Sequence, residues 1–504
     1  MTAPRDTIAA AATPPGRGGL AVLRVSGPGA LAAAARVFTP TRPGPLAPWR
    51  LRHGRLADAE GRPLDEALAA YMPGPRSYTG EDVVELSCHG GPAVVAAALA
   101  ALHAAGARPA ERGEFTRRAF LNGRLDLTQA EAVAELIHAP TRAAGMLAQA
   151  KLSGVLGGRI QALRQRLDGL RAQLCLAVDF PEDEAECLPP EALRAEVAAC
   201  MADLDGLLAG FRRARVWREG AAVVLCGRVN AGKSSLMNSL LGRNRAIVSP
   251  EPGTTRDYIE EALDLDGLAV RLIDTAGLRP ARGEAERAGL ELGGELAARA
   301  DLVLWVVDAA RPGRADAPDA PEADTPDIDN SDAGSLGTAP SDIDSPDADL
   351  AAAAVHGPGR VLVAANKMDL TAAAENMAAG GAGSATGDAG PAPVLAAAGY
   401  EVLPVSARTG LGLEALADRL RERLLGAAAE PDPDEAAPNA RQADLLARAR
   451  AELAALAADA ATGTPPDLLG VRLDTACALL SDITGQSTPD EILNAIFDAF
   501  CIGK

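Results

Sequence analysis

Residues 227–234 have the pattern G-x-x-x-x-G-K-S, a spacing that can bind the phosphates of a nucleotide. An apolar run at 222–226 precedes the pattern and a helical pattern follows it, so strand, glycine loop and helix are in the order such a site needs. The glycines let backbone N–H groups turn toward the phosphates, Lys233 neutralises the outer phosphates, and the Ser234 hydroxyl can bind Mg²⁺. The residues predicted to contact the nucleotide here are Asn230, Ala231, Gly232, Lys233, Ser234 and Ser235.

Four more motifs follow, each predicted to lie at the end of a strand. Gly253 to Asp257 lie where a GTPase places switch I, D-x-x-G occupies 274–277, N-K-x-D occupies 366–369, and Ser-Ala-Arg follows at 406–408. The Asp369 carboxylate can accept from two guanine donors that adenine lacks, which selects GTP over ATP. Thr255 is predicted to offer Mg²⁺ a second hydroxyl, and Asp274 to reach it through water. The further predicted contacts are Gly253, Thr254, Thr255, Asp274, Thr275, Ala276, Gly277, Asn366, Lys367, Asp369, Ser406, Ala407 and Arg408.

The residue that would orient the attacking water is not fixed by the motifs. Ras-type enzymes place Gln directly after D-x-x-G, but Leu278 occupies that position and cannot orient water. A carboxylate further along is the expected substitute, and Glu284, Glu286 and Glu291 all qualify. Each of them can equally be surface charge, so the residues alone leave the choice open.

Composition limits the classes of protein that fit. The chain has 504 residues, enough for about three domains, and a net charge of −19 that disfavours a generic basic nucleic-acid-coating protein. Residues 315–350 contain eleven Asp or Glu and no Lys or Arg, so the rest carries about −8. A local basic face therefore stays open, and residues 211–218 can be either an RNA-facing surface or a solvated linker. The seven scattered cysteines predict reduced thiols, and with no signal peptide or membrane span the predicted location is the cytoplasm.

The order of patterns predicts an α/β and α+β multidomain chain. Residues 1–120 mix apolar runs, Gly/Pro turns and one Ala-rich helix at 92–105, which indicates an α+β domain whose motifs at 12–19 and 77–86 are turns plus edge strands. Helical patterns occur at 121–217, where Thr128 and Glu131 predict a capping box, and again at 427–504. The nucleotide domain at 218–426 is thus predicted to be inserted into a helical domain. Its segments 310–359 and 371–398 are predicted to be disordered surface insertions.

Motifs in all three predicted domains resemble those of the MnmE (TrmE) family of tRNA-modification GTPases. The matching stretches are residues 12–19, 78–82, 113–116, 120–127 and 500–504. The resemblance implies a folate-binding N-terminal domain that dimerises, a helical domain and an inserted Ras-like G domain. It also implies an FAD-dependent partner, forming a heterotetramer-like complex in which FAD belongs only to the partner. Together they would install a carboxymethylaminomethyl-type group on C5 of the wobble uridine of certain tRNAs.

The resemblance also assigns roles to single residues. A tetrahydrofolate derivative, in its 5-formyl or methylene form, would supply the one-carbon unit, and the folate contacts would be Arg24, Glu85, Arg124 and Lys504. K⁺ would replace an arginine finger, held by Asn230 and by Ser249, Glu251 and Thr254, with Pro250 and Pro252 in the same nucleotide-contacting segment. Glu286 would orient the water, and Cys501 stands where a Cys has been implicated in the modification. Val229 departs from the family, which usually has Pro there.

Two other functions compete with this one. A ribosome-assembly GTPase would share the G domain but would not need the N-terminal motifs or Cys501. A scaffold GTPase without a direct modifying role is also consistent, because the FAD chemistry would belong to the partner.

Overall fold

The structure is a computed structural model that describes residues 6–179, 189–228, 230–243, 245–246, 259–274, 295–310, 346–371, 391–426 and 437–504. Contacts divide the chain into two compact units. Unit 1 comprises Met1–Ala139, Gly145–Arg212 and Asp432–Lys504, and unit 2 comprises Pro140–Ala144 and Arg213–Pro431. Unit 1 is therefore built from both ends of the chain, and most of unit 2 is inserted between them.

The secondary structure is labelled here in chain order. The strands are β1 (Ile8–Ala11), β2 (Gly18–Ser26), β3 (Phe38–Pro40), β4 (Leu51–Ala57), β5 (Pro63–Met72), β6 (Val83–Gly90), β7 (Arg108–Pro109), β8 (Ala221–Cys226), β9 (Arg245–Ala246), β10 (Ile259–Leu265), β11 (Leu268–Asp274), β12 (Leu302–Asp308), β13 (Val361–Asn366) and β14 (Glu401–Pro404). The helices are α1 (Ala30–Val37), α2 (Pro92–Ala104), α3 (Glu114–Leu121), α4 (Leu127–His138), α5 (Arg142–Leu152), α6 (Val155–Asp179), α7 (Pro190–Glu219), α8 (Lys233–Arg243), α9 (Pro346–Ala354), α10 (Pro391–Ala397), α11 (Leu413–Leu425), α12 (Ala440–Ala461), α13 (Pro466–Thr484) and α14 (Asp490–Asp498).

Unit 1 contains a seven-stranded sheet with the order β3-β4-β5-β6-β2-β1-β7. Every described pair of neighbours is antiparallel except β1 and β7, which are parallel. Leu23, Val25 and Leu86 are fully buried, in one core with residues of α1 and α2. Because side chains alternate along a strand, Arg24 and Glu85 lie on the opposite face, where the register pairs them directly.

The edge-strand prediction for the two N-terminal motifs is wrong. The motif at 12–19 leads into β2 and the motif at 77–86 leads into β6, and these two strands pair with each other. Each also has a neighbour on its other side, β1 and β5 respectively, so both are interior strands. Their apolar alternation is that of a strand with one covered face rather than of an edge.

Helices α6, α7, α12 and α13 form the second core of unit 1. Leu167, Leu453, Leu473 and Leu480 are fully buried in it. These helices come from segments about 300 residues apart, which joins the two ends of the chain into one bundle. No helix in the described residues is both long and apolar enough to cross a membrane.

The start of α4 corrects the predicted capping box. Asp126, not Thr128, is the N-cap: its carboxylate accepts from the Gln129 N–H at 2.9 Å, and the Gln129 side chain accepts from the Asp126 N–H at 3.0 Å. Glu131 is instead paired with Arg441 of α12 at 2.7 Å. An Asp two residues earlier competes for the same cap, and its charge suits the positive end of the helix.

Unit 2 contains a second seven-stranded sheet, with the order β14-β13-β12-β8-β11-β10-β9. Strands β11, β8, β12, β13 and β14 are parallel, and β10 and β9 extend the sheet in antiparallel pairs. Val224, Val303 and Val363 are fully buried, as the continuous apolar runs of parallel strands covered on both faces are. The carboxyl ends of these strands meet at one edge of the sheet, where ligands of such folds bind.

Parts of the two segments predicted to be disordered insertions are helical. Helix α9 lies inside 310–359 and α10 inside 371–398, so the prediction is wrong for these parts. Ala353 and Leu395 are fully buried in the core that contains Val303 and Val363. Their apolar side chains cover the sheet. The overall composition of the two segments did not indicate that these side chains would be buried. Residues 311–345 and 372–390 lie outside the described residues.

Candidate functional site

The glycine loop between β8 and α8 curves around its own lysine. Gly227 and Gly232 have φ of +128° and +94°, and a Cβ at Gly227 would lie 2.1 Å from the Val306 carbonyl oxygen. Lys233 is buried, and its ammonium donates to the carbonyls of Gly227 at 2.7 Å and Arg228 at 2.8 Å. Burial lowers the pKa of Lys233, and the nearby Asp274 carboxylate partly opposes that shift. The loop thus holds a cation at its centre, as phosphate binding requires.

A hydroxyl and a carboxylate meet next to this lysine. The Ser234 hydroxyl donates to the Asp274 carboxylate at 2.6 Å, and Asp274 is the last residue of β11 and fully buried. These are the two described residues that the sequence predicted to serve Mg²⁺. Oxygen donors of this kind suit a hard divalent cation, so the donor set fits Mg²⁺.

The residues of N-K-x-D connect the phosphate loop with the Ser406 loop. The Asn366 side chain donates to the Ala231 carbonyl and accepts from the Ala407 N–H, both at 3.0 Å. A Cβ at Gly232 would lie 2.3 Å from the Asn366 amide nitrogen, so this contact needs a glycine. Asp369 accepts from the Ser406 hydroxyl at 2.6 Å. The carboxylate predicted to recognise guanine is thereby oriented before any base is bound.

The structure also describes the predicted nucleotide contacts Asn230, Ser235 and Arg408. Asn230 is exposed with φ of +64°, and Ser235 lies in the first turn of α8, where its carbonyl accepts from Ser239. The exposed Arg408 guanidinium lies 3.9 Å from the Asp369 carboxylate. The predicted residues outside the described part of the chain are Ser249, Pro250, Glu251, Pro252, Gly253, Thr254, Thr255, Thr275, Ala276, Gly277 and Glu286, together with Glu284, Glu291, Leu278 and Val229.

Two acidic residues of this site were not predicted from the sequence. Asp308 ends β12 and accepts from the Lys367 ammonium at 2.6 Å, and Asp349 of α9 pairs with Arg228 of the glycine loop at 2.9 Å. The position of Asp308 at a strand end was a usable signal. Asp349 had no such signal, since it is one of eleven acidic residues in a stretch without a core pattern.

A second cluster lies in unit 1 around Arg24. Its guanidinium donates to Glu85 at 2.8 Å and lies 5.2 Å from the centre of the Tyr78 ring and 5.6 Å from that of Phe115. Tyr78 is fixed by a 2.8 Å hydrogen bond between its hydroxyl and that of Thr116. Two aromatic rings and a carboxylate therefore hold one cation in a defined direction.

The last four residues of the sequence reach this cluster. The N–H of Phe115 donates to the Lys504 backbone oxygen at 3.2 Å, and Arg112 and Ile502 form an antiparallel bridge. Burial lowers the pKa of Lys504; the Arg24 charge lowers it further, while Glu85 raises it. Arg24, Glu85 and Lys504, predicted from three distant positions, are thus brought together.

Residues 501–504 pack against the N-terminal sheet. Gly503 is buried, has φ of +97°, and a Cβ there would lie 2.0 Å from the Ala11 carbonyl oxygen. Phe497 and Phe500 anchor the segment, each 2% exposed, with ring centres 5.5 Å apart. Cys501 is exposed. The segment follows the N-terminal sheet because backbone hydrogen bonds and a glycine contact hold it there.

Arg124, the fourth predicted folate contact, lies beside this cluster rather than within its ion pair. It is exposed, and its Nε donates to the Ser77 carbonyl at 3.1 Å, one residue before Tyr78. Neighbouring Asn122 donates to the Thr79 carbonyl at 2.7 Å. The segment containing Arg124 is therefore attached to the loop that carries Tyr78.

A buried ion network supports the same loop. Arg118 is fully buried and pairs with Asp6 at 2.7 Å, Glu114 at 2.9 Å and Glu81 at 3.2 Å. Burial raises the pKa of Glu114, but hydrogen bonds from Arg108, the Glu111 N–H and Arg118 outweigh it, and the net pKa is lowered. This network was missed because the sequence gives no sign that these charges are buried together.

The parallel sheet, glycine loop, D-x-x-G strand end and N-K-x-D contacts define a P-loop GTP-binding protein. The family model of the MnmE helical domain matches residues 127–501, and that of the GTP-binding protein TrmE N-terminus matches residues 7–124. The chain belongs to the MnmE family of tRNA modification GTPases, which confirms the resemblance and the fold class.

Individual relatives agree with this family. The tRNA modification GTPase MnmE of Nitratidesulfovibrio vulgaris strain DP4 is 51% identical over 99% of both chains. That of Lawsonia intracellularis is 39% identical over 99% of this chain and all of the relative. The crystal structure of the G domain of the T. maritima FeoB iron transporter covers 40% of this chain and 98% of its own, at 21% identity and a TM-score of 0.24.

Proposed function

We propose that this GTPase works with an FAD-dependent partner to add a carboxymethylaminomethyl-type group to C5 of the wobble uridine of certain tRNAs. A tetrahydrofolate derivative, in its 5-formyl or methylene form, supplies the one-carbon unit, and FAD belongs to the partner. The chain acts as a cytoplasmic homodimer. Its domains are 1–120 for folate and dimerisation, 121–217 with 427–504 for the helical domain, and 218–426 for GTP.

The observation that carries this proposal is the meeting of Arg24, Glu85 and Lys504. A reduced folate has an anionic glutamate and a pterin ring with N–H donors, so a cluster that offers two cations and one carboxylate fits its chemistry. The aromatic rings of Tyr78 and Phe115 add flat apolar surface. Arg124 contributes a further cation at the side of the cluster. A GTPase that only assembled ribosomes would have no use for these groups.

On the nucleotide side, Ser234 and Thr255 would hold Mg²⁺, with Asp274 reaching it through water. The exposed Asn230 amide, together with Ser249, Glu251 and Thr254, would hold K⁺, whose charge would take the place of an arginine finger. Glu286 orients the attacking water, because Leu278 cannot. Asp369 selects guanine, and the oriented carboxylate beside Ser406 supports that role.

Hydrolysis is tested with the purified chain. GTP turnover should be at least about tenfold faster in KCl than in NaCl of equal ionic strength, since one electrostatic group typically contributes that much or more. Glu286→Ala should lower kcat and leave GTP affinity intact, whereas Glu284→Ala and Glu291→Ala serve as controls. Equal rates in the two salts would contradict the K⁺ site.

Modification is tested by mass spectrometry of wobble uridines from a strain that lacks this protein. We expect the modified nucleoside to disappear and to return with the wild-type gene but not with Arg24→Ala. Normal modification in the deletion strain would favour the alternative, a ribosome-assembly or scaffold GTPase. That alternative predicts a defect in ribosome profiles instead.

A further inference from the structure

Asp308 is the last residue of β12, and both oxygens of its carboxylate are engaged. One oxygen accepts from the Ala310 N–H at 3.0 Å, and the other accepts from the Lys367 ammonium at 2.6 Å. A carboxylate held at both oxygens has a fixed direction, and the bond from a charged donor is the stronger of the two. Asp308 therefore holds Lys367, the lysine of N-K-x-D, from the neighbouring strand.

The register of the sheet brings these two residues together. Asp308 and Asn366 end the parallel strands β12 and β13 and are direct partners in the ladder. The Ala309 N–H donates to the Asn366 carbonyl at 2.8 Å, and Lys367 follows at once. The Lys367 and Asp308 side chains are only 31% and 26% exposed, so water competes less for this pair than for one on an open surface. The pair is therefore part of the sheet edge.

Lys367 has a backbone conformation that needs support. Its φ is +64° and its ψ is 31°, in the left-handed region that residues other than glycine rarely adopt. It is the N-cap of a 3₁₀ turn, Met368–Leu370, in which Asp369 lies. The Lys367 carbonyl accepts from the Leu370 N–H at 2.9 Å and closes that turn. A change of Lys367 toward an ordinary backbone conformation would therefore open the turn and move the Asp369 carboxylate.

The same turn is fixed from its other side by the Ser406 loop. The Met368 N–H donates to the Val405 carbonyl at 3.2 Å, and the Ser406 hydroxyl donates to the Asp369 carboxylate at 2.6 Å. Asp308 holds the start of the turn, and these bonds hold the rest of it. Together they set the direction of the Asp369 carboxylate before a nucleotide binds.

We propose that Asp308 is a positioning residue for guanine recognition, because it holds through Lys367 the turn that carries Asp369. The proposal rests on the proposed function, in which the Asp369 carboxylate selects guanine. That carboxylate can accept from N1–H and from the exocyclic amine, and it reaches both donors only when its direction is right. Loss of the pair should therefore reduce discrimination at the base, beyond any general loss of nucleotide affinity.

Inosine diphosphate separates positioning from general support, because its base keeps N1–H and lacks the exocyclic amine. The wild type should bind GDP at least about tenfold more tightly than IDP, since one bond to a charged acceptor is lost. Asp308→Asn keeps an oxygen for the Ala310 N–H and removes the charge that holds Lys367. We expect it to weaken GDP about tenfold and IDP less than about threefold, so that the ratio of the two affinities falls at least about threefold. Equilibrium titration of the full chain at constant Mg²⁺ measures both constants without hydrolysis.

The other half of the pair provides a second variant. Lys367→Met keeps the aliphatic stem and removes the charge, so it should lower the GDP-to-IDP ratio by the same factor, also if Asp308→Asn fails to fold. Adding Asp308→Asn to Lys367→Met should change the ratio less than about 1.5-fold, because the pair is already broken. Asp308→Glu, which keeps the carboxylate, should restore most of the discrimination. Asp418→Asn, an exposed change on α11, is the control.

Three results would overturn the proposal. An unchanged ratio in Asp308→Asn, while Asp369→Asn abolishes discrimination, would show that Asp308 has no part in it and would leave the proposed role of Asp369 standing. Equal weakening of GDP and IDP, with a lowered melting temperature, would show that Asp308 only supports the fold. A wild type that binds GDP and IDP equally would overturn both the proposal and the assignment of Asp369.

Discussion

The two seven-stranded sheets build their candidate sites in opposite ways. In unit 2 the parallel strands deliver short contiguous motifs to one edge, so Ser234, Asp274 and Asn366 meet because each follows or ends a strand. In unit 1 the antiparallel sheet offers a face, and its cluster gathers Arg24, Glu85 and Lys504 from remote parts of the chain. Short motifs therefore indicate the first site directly, whereas the residues of the second were predicted only from the family resemblance, and their aromatic partners are visible only in the folded chain.

The two sites also depend on different parts of the structure. The nucleotide site is held by hydrogen bonds among loops of one sheet edge, such as Asn366 to Ala231 and Ala407. The unit 1 cluster depends on the docking of the last residues and on the buried network of Arg118. Changes in one should leave the other working, and the following predictions test that separation.

The largest effect is expected at Asp369. Asp369→Asn replaces an accepting carboxylate by a group that also donates, so GTP affinity should fall by about 100-fold, and binding of xanthosine triphosphate should improve. A titration with both nucleotides measures this. Asp418→Asn, an exposed change on α11, is the control. Unchanged GTP affinity would remove Asp369 from the site, and folate binding should be normal throughout.

In unit 1 the substitution that corresponds to Asp369→Asn is Arg24→Ala. It removes a cation held by Glu85 and two aromatic rings, so binding of 5-formyltetrahydrofolate should weaken by about 30-fold while GTP binding stays unchanged. Calorimetric titration of both ligands provides the comparison, with the exposed Arg50→Ala as control. A parallel loss of GTP binding would mean that the two sites are not separable.

Stability of unit 1 should depend on Glu114. Glu114→Gln removes the buried carboxylate that Arg118 and Arg108 both contact and should cost about 3 kcal/mol in the free energy of unfolding at pH 7, unlike the exposed Glu111→Gln. The pKa of Glu114 is lowered in the folded chain, so its stabilisation is complete above the ordinary value of 4.5 and is lost as the pH falls through the folded value. Urea unfolding should show the difference between wild type and variant narrowing below pH 4.5. A difference that is constant with pH would contradict this role.

A smaller effect is expected at Asp349. Asp349→Asn weakens the pair with Arg228 of the glycine loop, so KM for GTP should rise about fivefold with little change in kcat, and Asp349→Glu should restore much of the affinity. Steady-state hydrolysis measures both constants. Identical kinetics in Asp349→Asn would show that this pair only attaches α9.

The candidate residues of unit 2 could be named from the sequence because they stand in short contiguous motifs. Asp369 and Ser406 were named from motifs, and their 2.6 Å hydrogen bond joins them. Asp349 was not predicted because the residues around it are also acidic. Helices α9 and α10 were not predicted because each lies in a segment whose overall composition indicates disorder. Burial against a sheet depends on a few apolar side chains, which an average over fifty residues does not reveal.

In unit 1 the sequence predicted the Ala-rich helix, but not the aromatic partners of Arg24. Tyr78 and Phe115 have no spacing relation to Arg24 that a pattern could detect. The strand β2 looked like an edge because its neighbours, β1 and β6, lie on both sides only after the sheet has formed. Long-range pairing of this kind is a property of the tertiary structure.

The docked segment at residues 501–504 offers the most direct test of the claim that the two sites work separately and that the second is completed by the end of the sequence. The measurement is mass spectrometry of wobble uridines in a strain that carries only the chain lacking 501–504, alongside GTP hydrolysis by the same purified chain. We predict that modification is abolished and that GTP hydrolysis by the isolated protein persists. Full modification by the truncated chain would contradict the account.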